Sequence, residues 1–254
     1  MDEKTKKIWI TGASSGIGKS LALKFAKEGW QVAASARREN LLKDLSKENK
    51  NIHPFPLDVT NEEETKKIFQ NILSDFKNLD ICVFGTGIHD PASEKNLNSE
   101  TFKKIMETNF FGTLNCIIAV NDYFKEKKRG QISIISSVAG YRGLPAAGAY
   151  CASKSALISL AESLVFDFKR FNVRISVVNP GFIRTPMTNK NKFAMPMIKS
   201  PEYAAQKIFL GLTKKNSFEI HFPKSFTFGM KLLKIMPNWL YFFIVGRGIK
   251  AINY

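Results

Sequence analysis

The chain has 254 residues, 44% hydrophobic and 24% charged, which is enough to bury the core of one large α/β domain. Its 38 Lys and Arg against 22 Asp and Glu leave a net charge of +16, but no aromatic-basic module of a nucleic-acid binder is present, so nucleic acid is not an expected partner. The three cysteines, Cys82, Cys116 and Cys151, are too few for a disulfide framework, their spacing offers no metal site, and no apolar run is long enough to span a bilayer.

The N-terminal residues run directly into a strand, Lys6 to Ile10, without a secretory leader, and with cysteines few and odd in number this fits a reducing, cytoplasmic location. Next comes Thr11-Gly12-Ala13-Ser14-Ser15-Gly16-Ile17-Gly18 and a helix to Gly29. Glycines in such a turn let the backbone approach a pyrophosphate, and the helix start turns N–H groups toward it. A P-loop reading of Gly18-Lys19-Ser20 fails, because five residues separate Gly12 from Gly18 where that motif needs four.

The second strand, Gln31 to Ser35, ends at Ala36, Arg37 and Arg38 instead of the acidic residue that holds a ribose 2′-hydroxyl. A carboxylate would repel a 2′-phosphate, whereas a guanidinium grips it with paired hydrogen bonds, so NADP(H) is favoured over NAD(H). A polar helix, Asn40 to Asn51, leads to a third strand, Ile52 to Leu57. Asp58 and Val59 follow, at a place where an adenine edge would lie.

Helical spacing from Asn61 to Lys77 precedes a fourth strand, Leu79 to Phe84, which ends in Gly85-Thr86-Gly87. His89 and Asp90 sit in the loop beyond it, within reach of a substrate. Thr101 to Lys128 reads as one long helix with Asn109 inside it; an amide among apolar neighbours needs partners, and a local bend whose backbone holds a water is one solution.

The strand Gln131 to Ile135 ends at Ser136 and Ser137, and a helix from about Tyr150 to Phe171 places Tyr150 and Lys154 one turn apart on one face. A phenol beside an ammonium suits proton transfer, because the positive charge favours the phenolate. A sixth strand, Val173 to Val178, ends at Asn179-Pro180-Gly181-Phe182-Ile183-Arg184-Thr185-Pro186-Met187. Pro201 to Leu212 is helical and Phe218 to Phe222 is the last strand.

Together these features resemble the short-chain dehydrogenase/reductase family over roughly residues 6 to 222, carried by Gly12, Gly16 and Gly18, Asp58, Asn109, Ser137, Tyr150-x-x-x-Lys154 and Pro180-Gly181 with Thr185. The resemblance implies a Rossmann-like, doubly wound seven-stranded parallel sheet, order 3-2-1-4-5-6-7, with helices on both faces. It implies Tyr150 as general acid/base, Lys154 lowering its pKa and binding the nicotinamide ribose, Ser137 polarising the substrate carbonyl, and Asn109 holding a relay water. Cofactor contacts would come from Gly12, Ser14, Ser15, Gly16, Ile17, Gly18, Arg37, Arg38, Asp58, Val59 and Gly87, and from Tyr150, Lys154, Pro180, Gly181, Ile183 and Thr185. One departure is plain: Phe84-Gly85-Thr86-Gly87 stands where the family has Asn-Asn-Ala-Gly.

In the family the segment after Pro180-Gly181 covers the substrate. Here residues 182–198 are apolar and Met-rich, implying a lipophilic ketone, aldehyde or alcohol that touches Ser137, Tyr150, Phe182 and Met187, with Phe193 in the lid and Tyr141, Leu144 and Pro145 on the facing wall. Residues 1–222 thus form one domain, and 223–254 a basic amphipathic extension with no acidic residue. That tail suits a membrane surface, and equally a partner subunit or a roof over the active site. The expected activity is NADP(H)-dependent interconversion of carbonyl and alcohol by a homodimer or homotetramer; the alternative is a catalytically weak NADPH sensor or scaffold.

Overall fold

The computed structural model describes residues 5–91, 97–191 and 194–251, leaving the side chains of 248–251 aside. Strands of a parallel sheet are buried on both faces, so their residues must be apolar in both directions. In β1 (Lys7–Thr11) Trp9 enters one core while Ile8 and Ile10 enter the other. The same alternation runs through β2 (Gln31–Ser35), β4 (Ile81–Phe84), β5 (Gly130–Ile135) and β6 (Val173–Pro180), and β3 (Ile52–Pro54) and β7 (Glu219–Phe222) close the edges. The seven strands are parallel in the order β3-β2-β1-β4-β5-β6-β7, as expected.

Helices cover both faces. Of α1 (Gly16–Lys27), α2 (Glu39–Glu48) and α3 (Glu62–Phe76), the first two pack Leu21, Phe25, Leu42 and Leu45 on the Ile8 side, and α3 packs Phe69 and Phe76 on the Trp9 side. The Trp9 indole also donates to Ser35 Oγ at 2.9 Å, so its one polar atom is satisfied at full burial. The third strand is shorter than expected. Pro54 and Pro56 carry no N–H, and only Phe55 and Leu57 donate to Ala34 and Ala36.

The long helix expected from Thr101 to Lys128 is three pieces in line: α4 (Ser99–Met106), a π-helical turn over Glu107–Phe111, and α5 (Gly112–Lys127). Asn109 sits in the π turn, so the local bend anticipated around it is a widening of the helix by one residue. α6 (Gly148–Lys169) carries Tyr150 and Lys154, and α7 (Pro201–Leu210) returns the chain to the α1 layer.

The C-terminal extension folds onto the domain as α8 (Lys224–Ile235) and α9 (Asn238–Ala251). Thr227 and Met230 are buried. Two polar anchors hold the tail. Glu219 at the start of β7 accepts from Tyr141 Oη, from Asn179 Nδ2 at 2.7 Å and from Lys231 Nζ of α8. Arg142 donates to the carbonyls of Leu233 and Met236 at 2.6 Å, bonds Asn238 Oδ1, and lies 3.9 Å over the Tyr241 ring. Among the described residues no helix is long and apolar enough to cross a membrane.

Candidate active site

A cleft of about 470 Å³ opens at the carboxyl ends of β1 and β4, where the strand order reverses. Its floor is the turn after β1. Gly12 has φ +74°, and a Cβ there would stand 2.8 Å from the carbonyl oxygen of Gly85, so two strand ends meet without side chains between them. Gly18 packs the helix start on the turn itself, its Cβ position lying 2.2 Å from the Gly12 oxygen. Ser15, the N-cap of α1, makes no side-chain cap, so the first N–H groups of the helix are left for a ligand. Ser14, Ser15, Gly16, Ile17 and Gly18 all border the cleft.

Both arginines of the second strand end reach it. Arg38 donates to Ser14 Oγ at 2.8 Å and Ser15 Oγ at 3.0 Å, and Arg37, largely exposed, stands 3.7 Å from Asp58 Oδ2. Asp58 spends its other oxygen on the N–H and hydroxyl of Thr60, fixing the bend that brings Asp58 and Val59 to the cleft wall. Thr86 also borders the cleft, and its buried hydroxyl has no partner among the described residues. Open helix N–H groups, two guanidinium groups and an orphaned hydroxyl fit a dinucleotide that carries a third phosphate.

Lost asparagines in the Phe84-Gly85-Thr86-Gly87 segment have a steric counterpart. A Cβ on Gly85 would come within 2.8 Å of Ile135 Cδ1, so the last residue of β5 fills the space of a side chain at 85. Gly87 lies against Asn109 Oδ1 and Lys154 Nζ, 3.4 and 3.5 Å from its Cβ position.

The proton-transfer candidates gather at the end of β5. Ser136 bonds the Lys154 carbonyl at 2.7 Å, joining the strand end to α6. Ser137 accepts from Ala139 N at 3.1 Å, which leaves its own hydroxyl hydrogen to donate into the cleft it borders. Tyr150 and Lys154 border the same space, with Nζ 5.7 Å from the phenol ring centroid. Lys154 is 4% exposed and donates to Ile135 O at 3.0 Å; burial pulls its pKa down to about 8.

Asn109 is fully buried behind Gly87 and lies outside the cleft lining. Its carboxamide accepts from Ile88 N at 2.7 Å and donates to Ile88 O and Ser153 Oγ, each at 3.0 Å, while its main-chain oxygen accepts from Thr113 Oγ1 at 2.8 Å. His89, which follows Ile88, lies 4.5 Å from the Tyr150 ring, tilted 39°, inside the cleft. The sequence marks His89 as a loop residue near substrate; no spacing signal points to a ring pair with Tyr150.

On the far side, Pro180, Gly181, Ile183, Thr185 and Met187 border the cleft. A Cβ on Gly16 would meet Thr185 Cγ2 at 2.9 Å, so the segment after β6 and the glycine turn touch across the cleft. The lid is pinched at its base, Lys199 N donating to Phe182 O at 3.0 Å and Arg184 N to Lys199 O at 2.9 Å. Two expectations differ. Phe182 is not among the residues lining the cleft, and its ring lies 5.5 Å from Phe226 of α8. Tyr141, expected on the substrate wall, is buried with its phenol on Glu219. Phe193 lies outside the described residues. His53 bonds Gln31 and His221 bonds Thr227, both within the scaffold. No cluster suited to a metal occurs among the described residues.

A family model described as short chain dehydrogenase matches residues 6–213. An uncharacterized oxidoreductase of Myxococcus xanthus is 33% identical over 236 residues, covering 91% of this chain and 93% of that protein. The 3-oxoacyl-acyl-carrier-protein reductase FabG of Thermotoga maritima is 30% identical over 223 residues, covering 82% of this chain and 91% of its own. Among solved structures, ElxO with NADP bound superposes with a TM-score of 0.76 at 28% identity, covering 85% of this chain and 97% of that one.

Proposed function

The chain belongs to the short-chain dehydrogenase family, and we propose that it is an NADP(H)-dependent oxidoreductase that interconverts a ketone or aldehyde and an alcohol on a lipophilic substrate. The observation that carries this reading is the meeting of Ser137, Tyr150 and Lys154 in one cleft with Arg37, Arg38 and the glycine turn. Bound along that turn, NADPH supplies the hydride. In the direction of reduction Tyr150 Oη donates its proton to the carbonyl oxygen, and in oxidation it takes the proton back. Ser137 Oγ donates a hydrogen bond to the same oxygen, and the Lys154 ammonium stabilises the phenolate left on Tyr150. Asn109 works at one remove, holding the Ile88 backbone and with it the His89 ring beside Tyr150.

The substrate class rests on Ile183 and Met187 at the cleft and on the apolar composition of the lid. The FabG relative, a 3-oxoacyl reductase by name, and the NADP-bound ElxO support a carbonyl substrate and this cofactor. Self-association as a homodimer or homotetramer is supported by exposed Phe111 and Phe166 in the α5–α6 layer, and three buried cysteines that form no disulfide among the described residues support a reducing, cytoplasmic compartment.

The test is NADPH oxidation with a panel of medium- and long-chain ketones, aldehydes and 3-oxoacyl thioesters. Turnover is expected with NADPH, weaker with NADH, and reduced by about 10²–10⁴-fold in Tyr150→Phe. A Tyr150→Phe enzyme as fast as the parent would overturn the assignment.

A further inference from the structure

We propose that the outer face of α8 and α9, together with the lysine-lined recess at the start of α8, is a docking surface for an anionic phospholipid bilayer. It goes beyond the catalytic reading and does not depend on it.

The argument begins with helix phase. Lys224, Phe228, Leu232 and Ile235 follow one another by four, four and three residues, so they share one stripe of α8. The opposite stripe holds the buried Thr227 and Met230. Phe228 is 72% exposed and Ile235 78%, and the apolar face continues on α9 through Trp239, 71% exposed, with Phe242 and Phe243. Isolated exposed apolar side chains are ordinary; large aromatic and aliphatic groups exposed one after another along two consecutive helices mark a contact surface.

Charge says what it contacts. At its N-terminal end the stripe opens on a recess of about 620 Å³ walled by Lys199, Lys207, Lys215 and Lys224 with His221. No carboxylate among the described residues lines it. The ammonium of Lys224 is destabilised by desolvation and then by Lys231, Lys215 and Lys207, while Glu219 opposes that effect. After Glu219 the sequence holds Lys224, Lys231, Lys234, Arg247 and Lys250 and no acidic residue.

A protein interface disfavours lysine at its core. A bilayer surface favours this arrangement: apolar groups enter the acyl boundary, Trp takes the interfacial level, and lysines meet the phosphates. Since no described helix can cross a membrane, the contact lies flat on the surface. The inner side of the same helix carries Phe226 on Phe182 of the lid, so docking face and substrate lid are two sides of one element.

The experiment is co-sedimentation of the full chain with vesicles of phosphatidylglycerol and phosphatidylcholine, or of phosphatidylcholine alone, beside sedimentation velocity without lipid. The intact chain is expected to pellet with anionic vesicles, to stay in solution with neutral ones, and to be released by salt. Charge reversal at Lys207→Glu with Lys215→Glu should weaken binding at least ~25-fold, and Phe228→Glu with Trp239→Glu similarly, with melting temperatures unchanged. Failure to pellet with anionic vesicles overturns the proposal. So does a result in which the apolar-face variant dissolves a dimer or tetramer while lipid binding persists, because the face would then belong to a second copy.

Discussion

Asn109 closes a two-point hydrogen bond on the backbone of Ile88, accepting from its N–H at 2.7 Å and donating to its carbonyl at 3.0 Å. A side chain rooted in the π turn thereby mimics a neighbouring strand and fixes the segment that carries Gly87 and His89. Asn109→Ala leaves both groups of Ile88 and the Ser153 hydroxyl short of a partner. A loss of about 1–3 kcal/mol is expected in denaturant unfolding, along with a lower kcat. Asn109→Asp keeps the acceptor and loses the donor, and should fall between parent and Ala. A parent-like kcat in Asn109→Ala would separate this brace from catalysis.

Lys154 sets a pH limit. Its pKa is pulled down to about 8 by burial, so the ammonium is present below that pH and is lost above it. If the charge assists Tyr150, kcat/KM falls about tenfold per unit as pH rises beyond that value. Stability moves the other way. Between about 8 and the ordinary value of 10.5 the unfolded chain binds more protons at this residue, so this group alone adds stability as pH rises. A pH–rate profile to pH 10 checks the first point; a flat profile removes Lys154 from the chemistry.

Arg37 and Arg38 predict cofactor choice. Arg38 is anchored on Ser14 and Ser15, whereas Arg37 is the freer of the two. A charge-assisted hydrogen bond contributes about 1.5–3 kcal/mol, so Arg37→Ala should raise KM for NADPH roughly 10- to 100-fold and leave NADH almost unchanged. Arg38→Ala should hurt both cofactors, because it also releases the phosphate turn. Steady-state kinetics with the two cofactors distinguishes these outcomes.

Much of this was legible in the chain. Strand alternation, the glycine turn and the Tyr150–Lys154 spacing each follow from local rules, and the sheet order and the cleft are implied by the resemblance to the short-chain dehydrogenase/reductase family that these motifs carry. What escaped the sequence depends on contacts distant along the chain. Arg142 sits in a loop with no periodicity, and its partners lie more than ninety residues away on α8 and α9. Tyr141 reads as a substrate wall until Glu219, from the last strand, is seen to accept a hydrogen bond from its hydroxyl. Phe182 belongs to an apolar lid by composition, but only the position of Phe226 decides which way it faces.

The anchors of the tail can be tested separately. Arg142→Ala frees the carbonyls of Leu233 and Met236, for an expected loss of about 1.5–3 kcal/mol, or a melting temperature lower by several degrees. Desolvation pushes the Glu219 carboxyl up, but hydrogen bonds from Lys231, Tyr141 and Asn179 together outweigh it, and its pKa is lowered. Such a group contributes stability above the ordinary value of 4.5 and loses it as pH falls through the lower folded value. The stability gap between parent and Glu219→Gln should therefore close in acid. A gap that is constant with pH would mean that the carboxylate charge is not what holds α8.

Gly85 and Ile135 set a rule for anyone redesigning the turn after β4. A side chain at 85 would bring its Cβ within 2.8 Å of Ile135 Cδ1, the movable end of that side chain, and 3.3 Å of the Thr11 carbonyl, so Gly85→Asn alone requires Ile135 to shift. Gly85→Asn alone should be a poor step. The same replacement made with Ile135→Val or Ile135→Ala has room to settle. The two positions are thus coupled, and the cost of Gly85→Asn in melting temperature should shrink when Ile135 is shortened first.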